Sequence, residues 1–236
     1  MFYEPGKTDH GLDHDPFKAC VVPRPIGWIS TTSPSGVHNL APYSQFNNLT
    51  FDPPYVMFSA NQTPSNRRKD TVANVEATGR FVWNLATWDL REAVNTTAEQ
   101  VPADVDEFAR AGLEKEFTTA LKDPQLPMVK ASPVKFECVY HTTLRLPGNP
   151  PMGSVDVVIG RVIAVHIADD VLTDGILDVR KTQPIARQIE PPCRDDVRTV
   201  SGIDNGIAKR LEIGGQIDLM RRQPQWVPNL STARSL

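Results

Sequence analysis

The stretch PIGWISTTSPSGVHNLAPYSQFNNLTFDPPYVMFSANQ, Pro25 to Gln62, decides the fold. Its apolar, β-branched and aromatic runs are interrupted by Ser33-Pro34-Ser35-Gly36 and by Asp52-Pro53-Pro54, and this texture predicts strands over about 21–32, 37–50 and 54–61. In the first interruption Pro34 presets φ and Gly36 tolerates a positive φ, so a tight hairpin is expected.

Downstream, RKDTVANVEATG (Arg68 to Gly79) places Val72 and Val75 at helical spacing and puts Gly79 where a helix C-cap belongs. RFVWNLA (Arg80 to Ala86) returns to strand texture. Leu90, Ala93, Val94 and Ala98 are spaced three and four apart, which predicts two short helices parted at Val101-Pro102. VKFECVYHTTLRL (Val134 to Leu146) and VDVVIGRVIAVHIADDVL (Val155 to Leu172) flank the Pro- and Gly-rich LPGNPPMGS, the pattern of a long hairpin. Six or more strands with only short helices, and no βαβ alternation, argue for an all-β antiparallel barrel rather than a doubly wound sheet. Neither a GxGxxG nor a Walker loop is present, which argues against a Rossmann cofactor site. Residues 1–18 read as an irregular lead-in, 19–190 as the barrel domain and 191–236 as a C-terminal extension.

The 236 residues are 40% hydrophobic and 22% charged, enough for one substantial core. A net charge of −3 gives no general attraction to nucleic acid or to an anionic membrane, so an anion has to be caught locally. The N-terminus lacks a basic and apolar leader, and no stretch approaches a membrane span; the expected location is cytoplasmic. Cys20, Cys138 and Cys193 show no metal-ligand spacing and read as free buried thiols, and no metal is expected.

The segment from Ser44 to Asn47 is unusually rich in amide and hydroxyl groups for a barrel strand, with Ser44 and Phe46 on one face and Gln45 and Asn47 on the other. It suits a bound ring edge or an exposed sheet edge. Ser59 and Asn61 end a strand, and Arg67, Arg68, Lys69, Asp70 and Thr71 open a helix, where unpaired N–H groups and the helix dipole favour phosphate. Here Asp70 is the expected N-cap, Thr71 the first helical residue and Lys69 the cation reaching over the anion. An ordinary capped helix with a solvated basic flank is the alternative. Trp28 and the hydroxyls of Ser30, Thr31 and Thr32 precede the first turn; singly they read as a core anchor and turn formers. Together these groups meet the three demands of FMN: donors and cations for the phosphate, small polar partners for the ribityl chain, and an apolar wall with amides for the ring.

PRPIGWIST (Pro23 to Thr31), GVHNLAPYSQFNN (Gly36 to Asn48), DPPYVMFSA (Asp52 to Ala60), KDTVANVEATGRFVWNLA (Lys69 to Ala86) and NTTAEQVPADVDEFARAGLE (Asn95 to Glu114) resemble the flavin reductase-like, FMN-binding split-barrel family. The resemblance spans about Phe17 to Arg187. It implies a six-stranded antiparallel split β-barrel of Greek-key type, a homodimer with FMN near the interface, reduction of flavin by NADH or NADPH, and a possible partner monooxygenase. Carried over by position, it puts Ser44, Gln45, Phe46 and Asn47 along the flavin. Ser59, Lys69 and Thr71 become phosphate and ribityl contacts, and Trp28 to Thr32 become the strand end that meets the cofactor. Asn61, Arg67 and Arg68 join the same set. Where family members continue a Pro-x-x-Arg signature into Gly-Gly and Tyr, this chain has Pro184 and Arg187 followed by Gln188-Ile189-Glu190-Pro191-Pro192. The flavin carries the hard chemistry in such a site, so no general acid or nucleophile is required. His141 could face the ring or serve as a barrel histidine, His166 is assigned no role, and His38 is expected to face solvent.

Overall fold

Ser44 and Gln45 form the hinge on which the architecture turns. The structure, a computed structural model, describes residues 1–13, 16–62, 67–149, 153–187 and 200–202. After α1 (Phe17–Cys20) and β1 (Arg24–Pro25) come β2 (Gly27–Thr32), β3 (His38–Tyr43), β4 (Phe46–Phe51) and β5 (Pro54–Asn61). Then follow α2 (Asp70–Thr78), β6 (Arg80–Asn84), α3 (Arg91–Thr96), α4 (Glu107–Arg110), β7 (Lys115–Phe117), β8 (Pro127–Val129), β9 (Val134–Leu146) and β10 (Val155–Ile167). The chain continues through β11 (Leu172–Thr173), β12 (Ile176–Leu177), α5 (Val179–Thr182), β13 (Ile185–Arg187) and β14 (Val200–Gly202).

The main sheet has seven strands in the order β3-β2-β6-β9-β10-β5-β4, antiparallel throughout. The run expected as one strand over 37–50 breaks at Ser44-Gln45 into β3 and β4, which are the two opposite edges of the sheet. Six gaps of about 4.8 Å would hold those edges roughly 29 Å apart in a flat sheet. Two linking residues, three Cα–Cα steps, reach only about 10 Å, so the sheet has to curl and bring these two strand ends together. Ring contacts record the meeting: Tyr43 of β3 lies 5.0 Å from Phe58 of β5, and Phe46 of β4 packs over Gly27 of β2, where a Cβ would fall 2.8 Å from the ring. Phe46 in turn stacks on Trp83 at 5.3 Å.

Inside the curl, Ile29, Val56, Phe58, Phe81, Val158 and Val162 form the main core together with Val72 and Val75 of α2. A second cluster around Trp28, Leu40, Val94, Phe108 and Val129 packs α3, α4 and β8 against the other face of β2 and β3. Gly79 ends α2 with φ +72°, its N–H donating to the carbonyl of Val75 at 2.8 Å, as a glycine C-cap requires.

Two further expectations shift. The first strand begins at Gly27 rather than near residue 21, because Arg24 and Pro25 pair instead with Arg187 and Ala186. Cys138 is buried but Cys20 is exposed; it lies on the four-residue α1, which contributes nothing to the three apolar clusters. Cys193 lies outside the described residues, as does the 191–236 extension apart from β14, which pairs with β13. Met1–Ile203 forms one compact unit. Among the described residues no helix is long and apolar enough to cross a membrane, and no cluster of His, Cys, Asp or Glu could hold a metal ion.

Candidate functional site

Strand register brings one group of the expected residues onto a single outer face. Directly paired residues in antiparallel strands share a face, so three rows can be read across β4, β5, β10 and β9. Asn47, Met57, Ile159 and Thr142 form one row, Ser59, Val157 and Leu144 the next, and Asn61, Val155 and Leu146 the third. Asn47 is exposed, Asn61 is half-buried and Ser59 is buried beneath its neighbours; Met57, Val155, Val157 and Ile159 are half-buried. Amide and hydroxyl groups thus border an apolar wall. Ser44 is half-buried and Gln45 exposed, and the Gln45 carbonyl accepts from the Ser59 N–H at 2.8 Å. Phe46 points inward, away from this face, and the strand begins only there, so the expected alternation does not extend back to Ser44.

His141 lies on the same outer face. It is the extra residue of a β-bulge between the Ile159 and Gly160 positions, and its ring meets Tyr55 edge-on at 5.2 Å. Tyr55 pairs with Arg161. A surface concavity of about 400 Å³ between Thr173 and Arg180 shares no residue with this face.

The start of α2 offers a second element. The N-cap is Lys69, not Asp70, and no side chain caps the helix. The first intrahelical bond runs from Ala73 N–H to the Lys69 carbonyl, so the N–H groups of Asp70, Thr71 and Val72 have no partner within the helix. Among the described residues the Lys69 ammonium makes no hydrogen bond or ion pair. Arg68 is ion-paired with Glu76, and Arg67 is exposed. Asp70 places one negative charge in the same first turn.

The other expected residues are internal. Trp28 is fully buried and donates its indole N–H to Thr97 Oγ1 at 2.9 Å, as a core anchor does. Ser30 Oγ donates to the Pro127 carbonyl at 2.7 Å and accepts from Asn84. Thr32 is buried, with no hydrogen-bond partner for its hydroxyl among the described residues. Thr31 and Thr71, both buried, donate to Asn39 Oδ1 at 3.3 and 2.7 Å. Those protons are already committed inside the protein.

That commitment exposes residues the sequence reading missed. Asn39 Nδ2 donates to Glu107 Oε1 at 2.9 Å, Leu40 N–H to Glu107 Oε2 at 3.0 Å, and Asn74 Nδ2 to Thr31 Oγ1 at 3.1 Å. Burial pushes the Glu107 carboxyl up, with Asp106 adding to the rise, while the Leu40 and Glu107 N–H groups and the Asn39 amide oppose it. Burial likewise pushes the Tyr43 phenol up, against a hydrogen bond with Thr71. The available signal was Asn39 itself, a polar residue in a strand otherwise suited to the core.

The histidines also differ from expectation. His38 is half-buried, 2.8 Å from Lys115 Nζ, and burial and Lys115 push its pKa down against Asp106. His166 donates to the fully buried Glu137 at 2.7 Å.

Residues 19–185 match the family described as the flavin reductase like domain. The chain belongs to that family. An uncharacterized protein of Aquifex aeolicus (strain VF5) is 36% identical over 168 residues, covering 71% of this chain and 81% of its own. The nitrilotriacetate monooxygenase component B from Bacillus cereus is 27% identical with a TM-score of 0.73, over 80% of this chain and 92% of its own. Pseudomonas fluorescens 2-nitrobenzoate 2-nitroreductase, 21% identical with a TM-score of 0.67 over 84% of this chain and 94% of its own, shares the fold. The flavin reductase-like fold therefore frames both the outer face and the uncapped α2 terminus.

Proposed function

We propose that this chain is an FMN-binding oxidoreductase of the flavin reductase type. The observation that carries the reading is the row structure of the outer face, where Asn47, Ser59 and Asn61 stand in register with Met57, Val155, Val157 and Ile159. An isoalloxazine needs that combination of amide donors and acceptors at its edge and an apolar surface under its ring. The uncapped α2 terminus and Lys69 suit the phosphate, whose charge outweighs that of Asp70. Bound FMN would supply the ring that accepts hydride from NADH or NADPH. The protein's part is to hold the ring edge through Asn47 and neighbouring backbone, to anchor the phosphate, and to exclude water with the apolar rows.

The curled sheet, its edges joined through Ser44-Gln45, is read as a split barrel. Leu144 and Leu146, 55% and 43% exposed, continue the apolar face beyond Val157 and Val155, and we read a second copy of the chain as their cover, making a homodimer with the flavin near its interface. The likeness to a monooxygenase component B favours a partner monooxygenase that consumes the reduced flavin; a cytoplasmic setting goes with that role.

FMN titration of the purified protein tests binding directly: a colourless protein that takes up no added FMN rules the reading out. Oxidation of NADH or NADPH that requires added FMN marks flavin as the substrate. Turnover without added FMN marks a held cofactor acting on another acceptor, the alternative reading.

Lys69→Ala should weaken FMN binding about ten- to hundredfold, because a charge-assisted hydrogen bond is worth roughly 1.5 to 3 kcal/mol. Titrations at low and high salt should show that the wild type loses affinity with salt more steeply than the variant. Equal affinity and equal salt slope would make Lys69 a solvated flank.

A further inference from the structure

The first turn of α2 is held to the sheet by a directed chain of hydrogen bonds that begins at Glu107. A carboxylate only accepts, so Asn39 must turn its Nδ2 to Glu107 Oε1 and leave Oδ1 facing the other way. Oδ1 in turn only accepts, so the hydroxyl protons of Thr71 and Thr31 must both point at it. Thr31 then accepts from Asn74 in the second turn of α2. Each member has one possible sense, and that sense is set by the charge at Glu107. The result is that the Thr71 oxygen is drawn inward and cannot turn outward to bond the free N–H groups of its own helix, a competition that threonine hydroxyls readily enter. Those N–H groups stay available to an outside anion.

We propose that Glu107 is a positioning residue for the anion site at the α2 terminus, acting through Asn39 and Thr71 without touching the ligand. The proposal rests on the reading of that terminus as the FMN phosphate site, and it assigns to α4 a role in cofactor affinity.

Glu107→Gln separates this role from simple packing, because it preserves shape while reversing polarity. The Gln oxygen must take the Leu40 N–H, so its amide nitrogen faces Asn39; the Asn39 amide has to flip, and Thr71 is released from donating. Riboflavin has the same ring and ribityl chain but no phosphate. Both flavins are titrated by fluorescence quenching against the full-length wild type, Glu107→Gln and Asn39→Leu, which removes the link between Glu107 and Thr71 and so also releases the Thr71 hydroxyl.

The expected result is FMN affinity lowered roughly tenfold in both variants, the factor matching one lost hydrogen bond, with riboflavin affinity unchanged. FMN and riboflavin affinities falling in parallel would make the relay a general packing element and overturn the proposal; so would wild-type affinity for both flavins in a folded Glu107→Gln protein. If Glu107→Gln does not fold, Asn39→Leu decides on the same criterion. A wild type that binds FMN no better than riboflavin fails differently: it removes the phosphate site itself, and the relay's role with it.

Discussion

Gly160→Ala is expected to destabilise the fold by about 3 kcal/mol, the upper end of what overpacking a filled core costs. Gly160 sits in β10 between Val56 of β5 and Tyr140 of β9, at the centre of the sheet. A Cβ there would lie 2.3 Å from Phe81 Cε1 and 2.4 Å from Cζ. Phe81 has nowhere to go: it is fully buried and meets Phe58 edge to face at 5.5 Å. Its ring is rigid, so the strand must move instead. For a domain of this size the loss corresponds to a fall in Tm of roughly 6 to 12 °C. Thermal and urea denaturation read it directly, and adding Phe81→Leu should restore part of the loss by emptying the space the methyl needs. A Gly160→Ala protein within about 0.5 kcal/mol of wild type, the range of ordinary surface changes, would mean the ring relaxes freely and the interior is looser than its contacts imply.

The strands were legible because their texture is local. Pro34 and Gly36 mark a reversal, Gly79 marks a helix end, and the two long β-runs around LPGNPPMGS pair as a hairpin with only two irregularities of register. The break at Ser44-Gln45 was not legible, because nothing in APYSQFNN distinguishes a continuous strand from one that leaves one edge of the sheet and joins the other. That decision is made by Tyr43 finding Phe58 and Phe46 finding Gly27 and Trp83, contacts remote in sequence. A one-strand reading therefore carried the right residues and the wrong neighbours.

The site divides along the same physical line. Strand alternation puts Ser59 and Asn61 on one face of β5, but Asn47 joins that face only through the β4–β5 register; Lys69 was placed by its position before a helix. Thr31 and Thr71 have the residue type of cofactor ligands, yet a hydroxyl can be used once as a donor, and Asn39 claims both. Asn39 and Glu107 are 68 residues apart, so no local pattern announces their pairing. Glu107 stands in EFAR, where the sequence offers an ordinary exposed helical glutamate and the fold buries it.

Glu137 is fully buried on β9, and its replacement should cost about as much as Gly160→Ala. Its two oxygens accept from the N–H groups of Thr119, Ala120 and Leu121, with shortest distances of 2.8, 3.0 and 2.7 Å, from Thr119 Oγ1, and from His166 Nε2. One side chain on β9 thus satisfies three backbone donors of the segment that leads to Leu126 and Met128, which pack on Val82. Glu137→Gln keeps the volume but turns an NH₂ toward those donors, leaving buried groups unpaired. About 3 kcal/mol is the expected loss, the low end for breaking a buried charged network, and urea denaturation at neutral pH measures it. Burial pushes the Glu137 carboxyl up, but the N–H groups of Leu121 and Thr119, His166 and the Ala120 N–H more than offset it, so its pKa lies below the ordinary 4.5. The unfolded chain therefore binds the proton more tightly, and the contribution is complete above pH 4.5 and lost as pH falls through the lowered folded value. Glu107, with its pKa raised, works in the opposite sense and favours the folded state as pH falls. Glu137→Gln should consequently flatten the acid limb of the stability profile below about pH 4.5, losing less on acidification than wild type does. An acid limb of unchanged slope in the variant would show that other carboxylates govern acid unfolding and that the bonds from Thr119, Ala120 and Leu121 are not what holds Glu137 ionised.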